Sequence, residues 1–170
     1  MFTIGVDFGG VLSVHDAQAG CEHRNVCINM PNAMSTLESL KSKGHRLVLV
    51  SFAGKSRSQE TMDELMTSCP DLFDSIYFVK DKKHKRAICE HAGCDVMIDD
   101  STEVLEHFAG SATVPILYGS SDPRFFSMSD WSVDFLGQCA TAPASASKAS
   151  KAPAATEVAI NKMLYIRHEK

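Results

Sequence analysis

Residues 3–13 read TIGVDFGGVLS. The run from Thr3 to Val6 shows no polar alternation, which marks a strand covered on both faces of a sheet. It ends on a carboxylate, Asp7, set at the mouth of the strand. Two later stretches repeat the design. In HRLVLVS (45–51) the run Leu47 to Val50 is a second buried strand ending at Ser51, and DVMIDD (95–100) is an apolar strand that terminates in the paired acids Asp99 and Asp100.

The intervening segments read as helices. MPNAMSTLESLKSKG (30–44) places Met34, Leu37 and Leu40 on one face, with Asn32 as the expected N-cap and Gly44 as a left-handed stop. KSRSQETMDELMTSC (55–69) carries Met62, Leu65 and Met66 on one face. SIYFV (75–79) is a further strand, a helix is expected from Lys83 to Ala92 before Gly93, and a short helix capped by Ser101 or Thr102 follows the acids. TVPILYG (113–119) gives a fifth strand, and FFSMSDWSVDFLGQC (125–139) is expected to be a closing helix. Strand and helix alternate throughout, so the expected fold is α/β: a three-layer Rossmann-like parallel sheet wrapped by helices on both faces. Ligands of such sheets bind beyond the carboxyl ends of the strands. Asp7, Ser51, Asp99 and Asp100 therefore converge on one rim, although they are distant in sequence.

The 170 residues favour one domain, and the composition, 44% hydrophobic and 22% charged, is that of a globular protein. A formal charge of -4 argues against the broad basic field of a dedicated nucleic-acid binder. The N-terminus lacks a basic, then apolar, leader and no run is long enough to span a membrane, so a cytoplasmic protein without membrane contact is expected. Six cysteines are too sparse for a disulfide-stapled scaffold and are expected to be mostly thiols. His15, Cys21, His23 and Cys27 crowd one short stretch; four such ligands could close a zinc site, but their order differs from the common fingers, and a surface loop is the plainer reading. From Cys139 the composition turns to Ala, Ser, Pro and Lys. The expected organisation is a domain over 1–138, a flexible linker over 139–156, and a tail segment over 157–170, read either as docking on the domain or on a protein partner or as a frayed, partly helical terminus.

With these motifs in order, GVDFGGVLS, LVLVS with Ser51, a lysine ahead of the last catalytic strand, and VMIDDS, the chain resembles the haloacid dehalogenase-like (HAD) hydrolases, mostly magnesium-dependent phosphatases on a Rossmann-like sheet, over about residues 1 to 137. The resemblance implies that Asp7 is the nucleophile and forms an aspartyl-phosphate. It implies that Asp7, Asp99, Asp100 and the Gly9 carbonyl hold Mg²⁺, and that Ser51 donates to the transferring phosphoryl group. The lysine comes from KDKKHKR (80–86): Lys85 has the favoured spacing to Asp99, Lys83 is next, and the plainer reading of the run is a solvated basic loop without the interleaved aromatics of a nucleic-acid site.

The family pattern has a second acid where this chain has Gly9. That acid protonates the leaving oxygen and then activates water, and losing such a group typically slows turnover on the order of 10²- to 10⁴-fold. The resemblance leaves three outcomes: a phosphatase that is slow or borrows His15, Asp16 or Asp100; a member whose chemistry dispenses with that acid, as dehalogenases and phosphonatases do; or a catalytically inactive binding or structural subunit. The spans from Ser13 to Val50 and from Ser51 to Ile76 are used by ordinary elements, so no large cap is expected over the site, and its substrate is a phosphorylated compound of unspecified identity.

Overall fold

The computed structural model describes residues 1–14, 27–132, 134–140 and 155–170. One mixed sheet of seven strands forms the middle layer, in the order β6-β5-β4-β1-β2-β3-β7. Its strands are β1 (Thr3–Val6), β2 (Arg46–Phe52), β3 (Ser75–Val79), β4 (Val96–Asp99), β5 (Val114–Tyr118), β6 (Phe126–Met128) and β7 (Leu164–Glu169). All neighbours pair in parallel except β7, which runs antiparallel to β3. The chain first builds outward from β1 through β2 to β3, then crosses back to lay β4 on the other side of β1. The order therefore reverses between β1 and β4, where ligands of open α/β sheets bind.

Two cores pack the outer layers onto this sheet. On one face, Ile4, Val6, Leu47, Leu49 and Ile98 meet α1 (Ala33–Ser42), α2 (Lys55–Ser68) and α5 (Phe135–Ala140) through Leu37, Leu65 and Phe135. On the other, Val48, Val50 and Met97 meet α3 (His84–Ala92), α4 (Thr102–Glu106) and α6 (Glu157–Met163) through Ile88, Val104 and Ile160. Successive strand residues thus feed opposite cores, as the period of two requires.

Three local expectations are corrected. Asn32 stands at the N-cap position of α1, but its side chain caps nothing: it sits in the left-handed region at φ 62°, which asparagine tolerates, and contributes its carbonyl to the Thr36 N–H. Ser101 precedes α4 without a side-chain cap, because its N–H is turned onto Asp99. The segment expected as a closing helix is strand β6 followed by the short helix α5. Asp130 accepts the Ser132 N–H at 2.8 Å, a turn that interrupts any helix there, and the buried Trp131 donates its indole N–H to the Val11 carbonyl at 2.8 Å.

The C-terminal segment returns to its own domain. Thr156 caps α6 by accepting the Ala159 N–H, Ile160 and Leu164 enter the second core, and β7 pairs with the whole of β3 from Ser75↔Glu169 to Val79↔Leu164. Its apolar residues close the edge of the sheet. Residues 141–154, most of the Ala/Ser/Pro/Lys tract, lie outside the described residues, as do His15, Asp16, Cys21 and His23. Cys27 is disulfide-bonded, whereas Cys69, Cys89 and Cys94 are free. Among the described residues no helix is long and apolar enough to cross a membrane.

Candidate active site

The site forms where β1 and β4 end. The β1–β4 register continues past the named strand, with the Asp7 N–H bonded to the Ile98 carbonyl at 2.9 Å, and this sets Asp7 beside Asp99. Asp7 follows Gly5 by two residues and Asp99 follows Met97 by two. A Cβ on Gly5 would touch the Met97 and Cys94 sulfurs of the second core, so both acids point to the side covered by α3. From the first turn of that helix Lys85 reaches back between them.

Both carboxylates and the lysine are buried: Lys85 is 2% exposed, Asp99 0% and Asp7 8%. Lys85 Nζ lies 3.0 Å from Asp7 Oδ1 and 2.7 Å from Asp99 Oδ2. Asp7 Oδ1 also accepts the Ser51 hydroxyl at 2.6 Å and the Phe8 N–H at 2.7 Å. Among the described residues Asp7 Oδ2 has no partner. The carboxylate is therefore clamped through one oxygen by three donors and presents the other. Asp99 Oδ1 accepts the Ser101 N–H at 3.0 Å.

Burial, and after it the charge of Asp7, push Asp99 up to about 7, against the opposing pull of Lys85 and the Ser101 N–H. Burial alone would pull Lys85 down, but Asp7 and Asp99 more than offset it, so its pKa rises and it stays charged. Two carboxyl groups crowd one ammonium, and the upward push on Asp99 by burial and by Asp7 marks a place whose electrostatics a bound cation would relieve.

The donor set fits such an ion. Asp7, Asp99 and Asp100 can each present an oxygen within 4.8 Å of the others, with Asp100 at the exposed mouth. Hard carboxylate oxygens, one of them open to solvent, suit Mg²⁺, which retains several waters. Gly9 is half-buried in the turn after β1 and bridged to Ser13, and the Gly10 N–H bonds the Ser13 carbonyl at 2.8 Å.

The structure brings together Asp7, Ser51, Lys85, Asp99 and Asp100 from four separate elements. Lys83 is not among them: it is exposed and pairs with Asp81 at 3.0 Å, while Lys82 pairs with Glu103. Of the basic run, then, Lys85 is withdrawn into the site and the residues before it form the solvated loop. Sequence reasoning passed over Gly10. It holds φ +77°, and a Cβ there would lie 2.0 Å from Asp100 Oδ2, so only glycine lets Asp100 approach the first turn. The adjacent glycines of DFGG are the signal that could have revealed it.

No protein-family model matches the chain, and no curated protein matches it in sequence. Solved structures do. A D,D-heptose 1,7-bisphosphate phosphatase from B. bronchiseptica, complexed with magnesium and phosphate, is 17% identical; the match covers 77% of this chain and 94% of that one, with a TM-score of 0.58. The corresponding enzyme from Burkholderia thailandensis is 15% identical over 77% of this chain and 94% of its own, with a TM-score of 0.53. An uncharacterised protein from Listeria monocytogenes serotype 4b is 17% identical over 78% and 93%, with a TM-score of 0.55. At such identities the likeness establishes the fold: a mixed α/β sheet of the Rossmann-like kind.

Proposed function

We propose that this chain is a phosphohydrolase of the haloacid dehalogenase-like type, acting on phosphate monoesters through Asp7 and slowed by the glycine at position 9. The observation that carries this reading is the clamped carboxylate. Ser51, Lys85 and the Phe8 N–H hold Asp7 Oδ1, which leaves Oδ2 to attack phosphorus. The new Asp7–phosphorus bond forms as the ester P–O bond breaks, giving an aspartyl-phosphate that water then hydrolyses. Lys85 and the Ser51 hydroxyl lie within reach of both the nucleophile and the incoming phosphoryl oxygens, so each can shift its hydrogen bond onto the transferring group. Asp7, Asp99, Asp100 and the Gly9 carbonyl would hold Mg²⁺. When bound, that ion would offset the repulsion between carboxylate and phosphoryl oxygens. The phosphatase neighbour complexed with magnesium and phosphate supports this choice of metal and substrate class.

Gly9 offers no proton, so the departing oxygen takes one from solvent and the second step lacks a positioned base. That absence favours a second reading, an inactive member of the fold kept as a binding subunit. One set of assays separates the two. Mg²⁺-dependent hydrolysis of p-nitrophenyl phosphate by the full chain is expected to be slow, to vanish in Asp7→Asn, and to rise on the order of 10²-fold or more in Gly9→Asp. Equal inertness of wild type, Asp7→Asn and Gly9→Asp would leave only the binding subunit.

A further inference from the structure

We infer that the site takes a phosphate monoester whose leaving group carries a planar aromatic ring, and that Phe52 is the residue that selects it. This inference rests on the phosphohydrolase reading above. The structure adds Phe52, which ends the strand with 45% of its surface exposed.

The register locates this ring relative to the nucleophile. Val6 pairs with Leu49, so Asp7 is level with Val50 and Phe52 stands one same-face position farther out on the adjacent strand. Val48 and Val50 belong to the core beneath α3, which puts Phe52 on the side of the sheet shared by Asp7, Asp99 and Lys85. Strand geometry sets its Cα about 5 Å across and about 7 Å outward from that of Asp7. An in-line displacement expels the leaving group from the face of phosphorus opposite Asp7, which is the outward direction. Phe52 therefore flanks the path along which the alcohol departs.

The other exposed large apolar residues differ in this respect. Phe126 opens the edge strand β6, level with Ile116 and Ile98 but three strands away from β1 and its Asp7. Tyr165 already carries Lys80 over its ring at 5.9 Å. Among the described residues Phe52 has neither a ring nor a cation against it. An aromatic face left in water beside a buried charge cluster gains by covering itself with another ring, and such pairs are worth several-fold in affinity.

Calorimetric binding of two non-hydrolysable probes, phenylphosphonate and methylphosphonate, in Mg²⁺ tests this without requiring turnover. The expected result is phenylphosphonate bound about five-fold more tightly. That preference should disappear in Phe52→Ala and persist in Phe126→Ala, while methylphosphonate affinity stays the same in all three proteins. Equal binding of the two probes by wild type, or a preference that survives Phe52→Ala, overturns the role of Phe52 and leaves the phosphate site standing. Binding of neither probe removes the phosphohydrolase reading and this inference together.

Discussion

The centre and one edge of this sheet treat charge in different ways. At the central β1–β4 junction Asp7, Asp99 and Lys85 are buried, two carboxyl groups around one ammonium. At the β3–β7 edge, Arg167 pairs with Glu157 and Glu169, Tyr77 donates to Glu169, and Lys170 pairs with Asp71, all with at least one partner in water. The edge network sets three carboxylates against two cations, an excess that water solvates, and it holds the C-terminal segment in place. The junction holds its acids out of water, and burying two carboxyl groups against one ammonium carries a desolvation cost that a bound cation would offset. Similar residue types therefore stand solvated at one place and buried at the other.

The sharpest way to break this comparison is to remove the cation from each region. Lys85→Met leaves two buried carboxylates facing each other and is expected to lower stability by about 3–5 kcal/mol in chelator. Arg167→Met at the partly exposed edge is expected to cost less than about 1 kcal/mol. Urea unfolding of both variants measures the ratio. Equal losses would mean that the junction is only another structural ion-pair network.

A second substitution sharpens it from the apolar side. Ile160 is fully buried beneath α6, and Ile160→Ala is expected to cost about 2–4 kcal/mol through the lost burial and the cavity left behind. Because α6 belongs to the edge region, Mg²⁺ affinity at the junction should not change. A matching fall in metal affinity would show that the two regions are coupled.

The difference also explains what was legible in the sequence. Strands β1, β2 and β4 are covered on both faces, so their apolar runs announce them, and the acids at their ends follow from the same pattern. Lys85 was favoured by its spacing, but only the fold shows Lys83 turned away to Asp81. Strand β7 was not legible. Its sequence, LYIRHE, lies on an edge with one flank in water, its register shifts between Phe78 and Val79, and its partner β3 is 85 or more residues away. Phe126 to Met128 was masked in the same way, being a three-residue edge strand inside a segment rich in aromatics that also suit a helix. The N-cap at Asn32 failed because capping depends on a backbone angle that composition does not reveal.

Gly10→Ala probes the junction more gently than removing a charge. Alanine is strained at φ +77°, and its Cβ would drive Asp100 outward. A stability loss of about 1–2 kcal/mol is expected from the backbone. Mg²⁺ affinity is expected to fall about ten-fold, read by calorimetry, since displacing a ligand's support typically has that effect. An unchanged affinity would remove Asp100 from the cation site.

The smallest effect comes from pH at the edge. Burial first, then the hydrogen bond and charge of Glu169, push Tyr77 up to about 12 from an ordinary value of 10. The folded protein thus prefers the neutral phenol more strongly than the unfolded chain does. Stability from this preference is whole below pH 10 and is lost as pH rises from there through about 12. By pH 10.5 the loss relative to pH 8 should reach about 1 kcal/mol, and Tyr77→Phe, which cannot ionise, should lack that component. Urea midpoints of both proteins at pH 8, 9.5 and 10.5 provide the test. If the two curves ran parallel, the Tyr77–Glu169 contact would not be holding β7 to β3, and the edge would owe its docking to the backbone pairing, the Arg167 and Lys170 ion pairs, and the burial of Ile160 and Leu164.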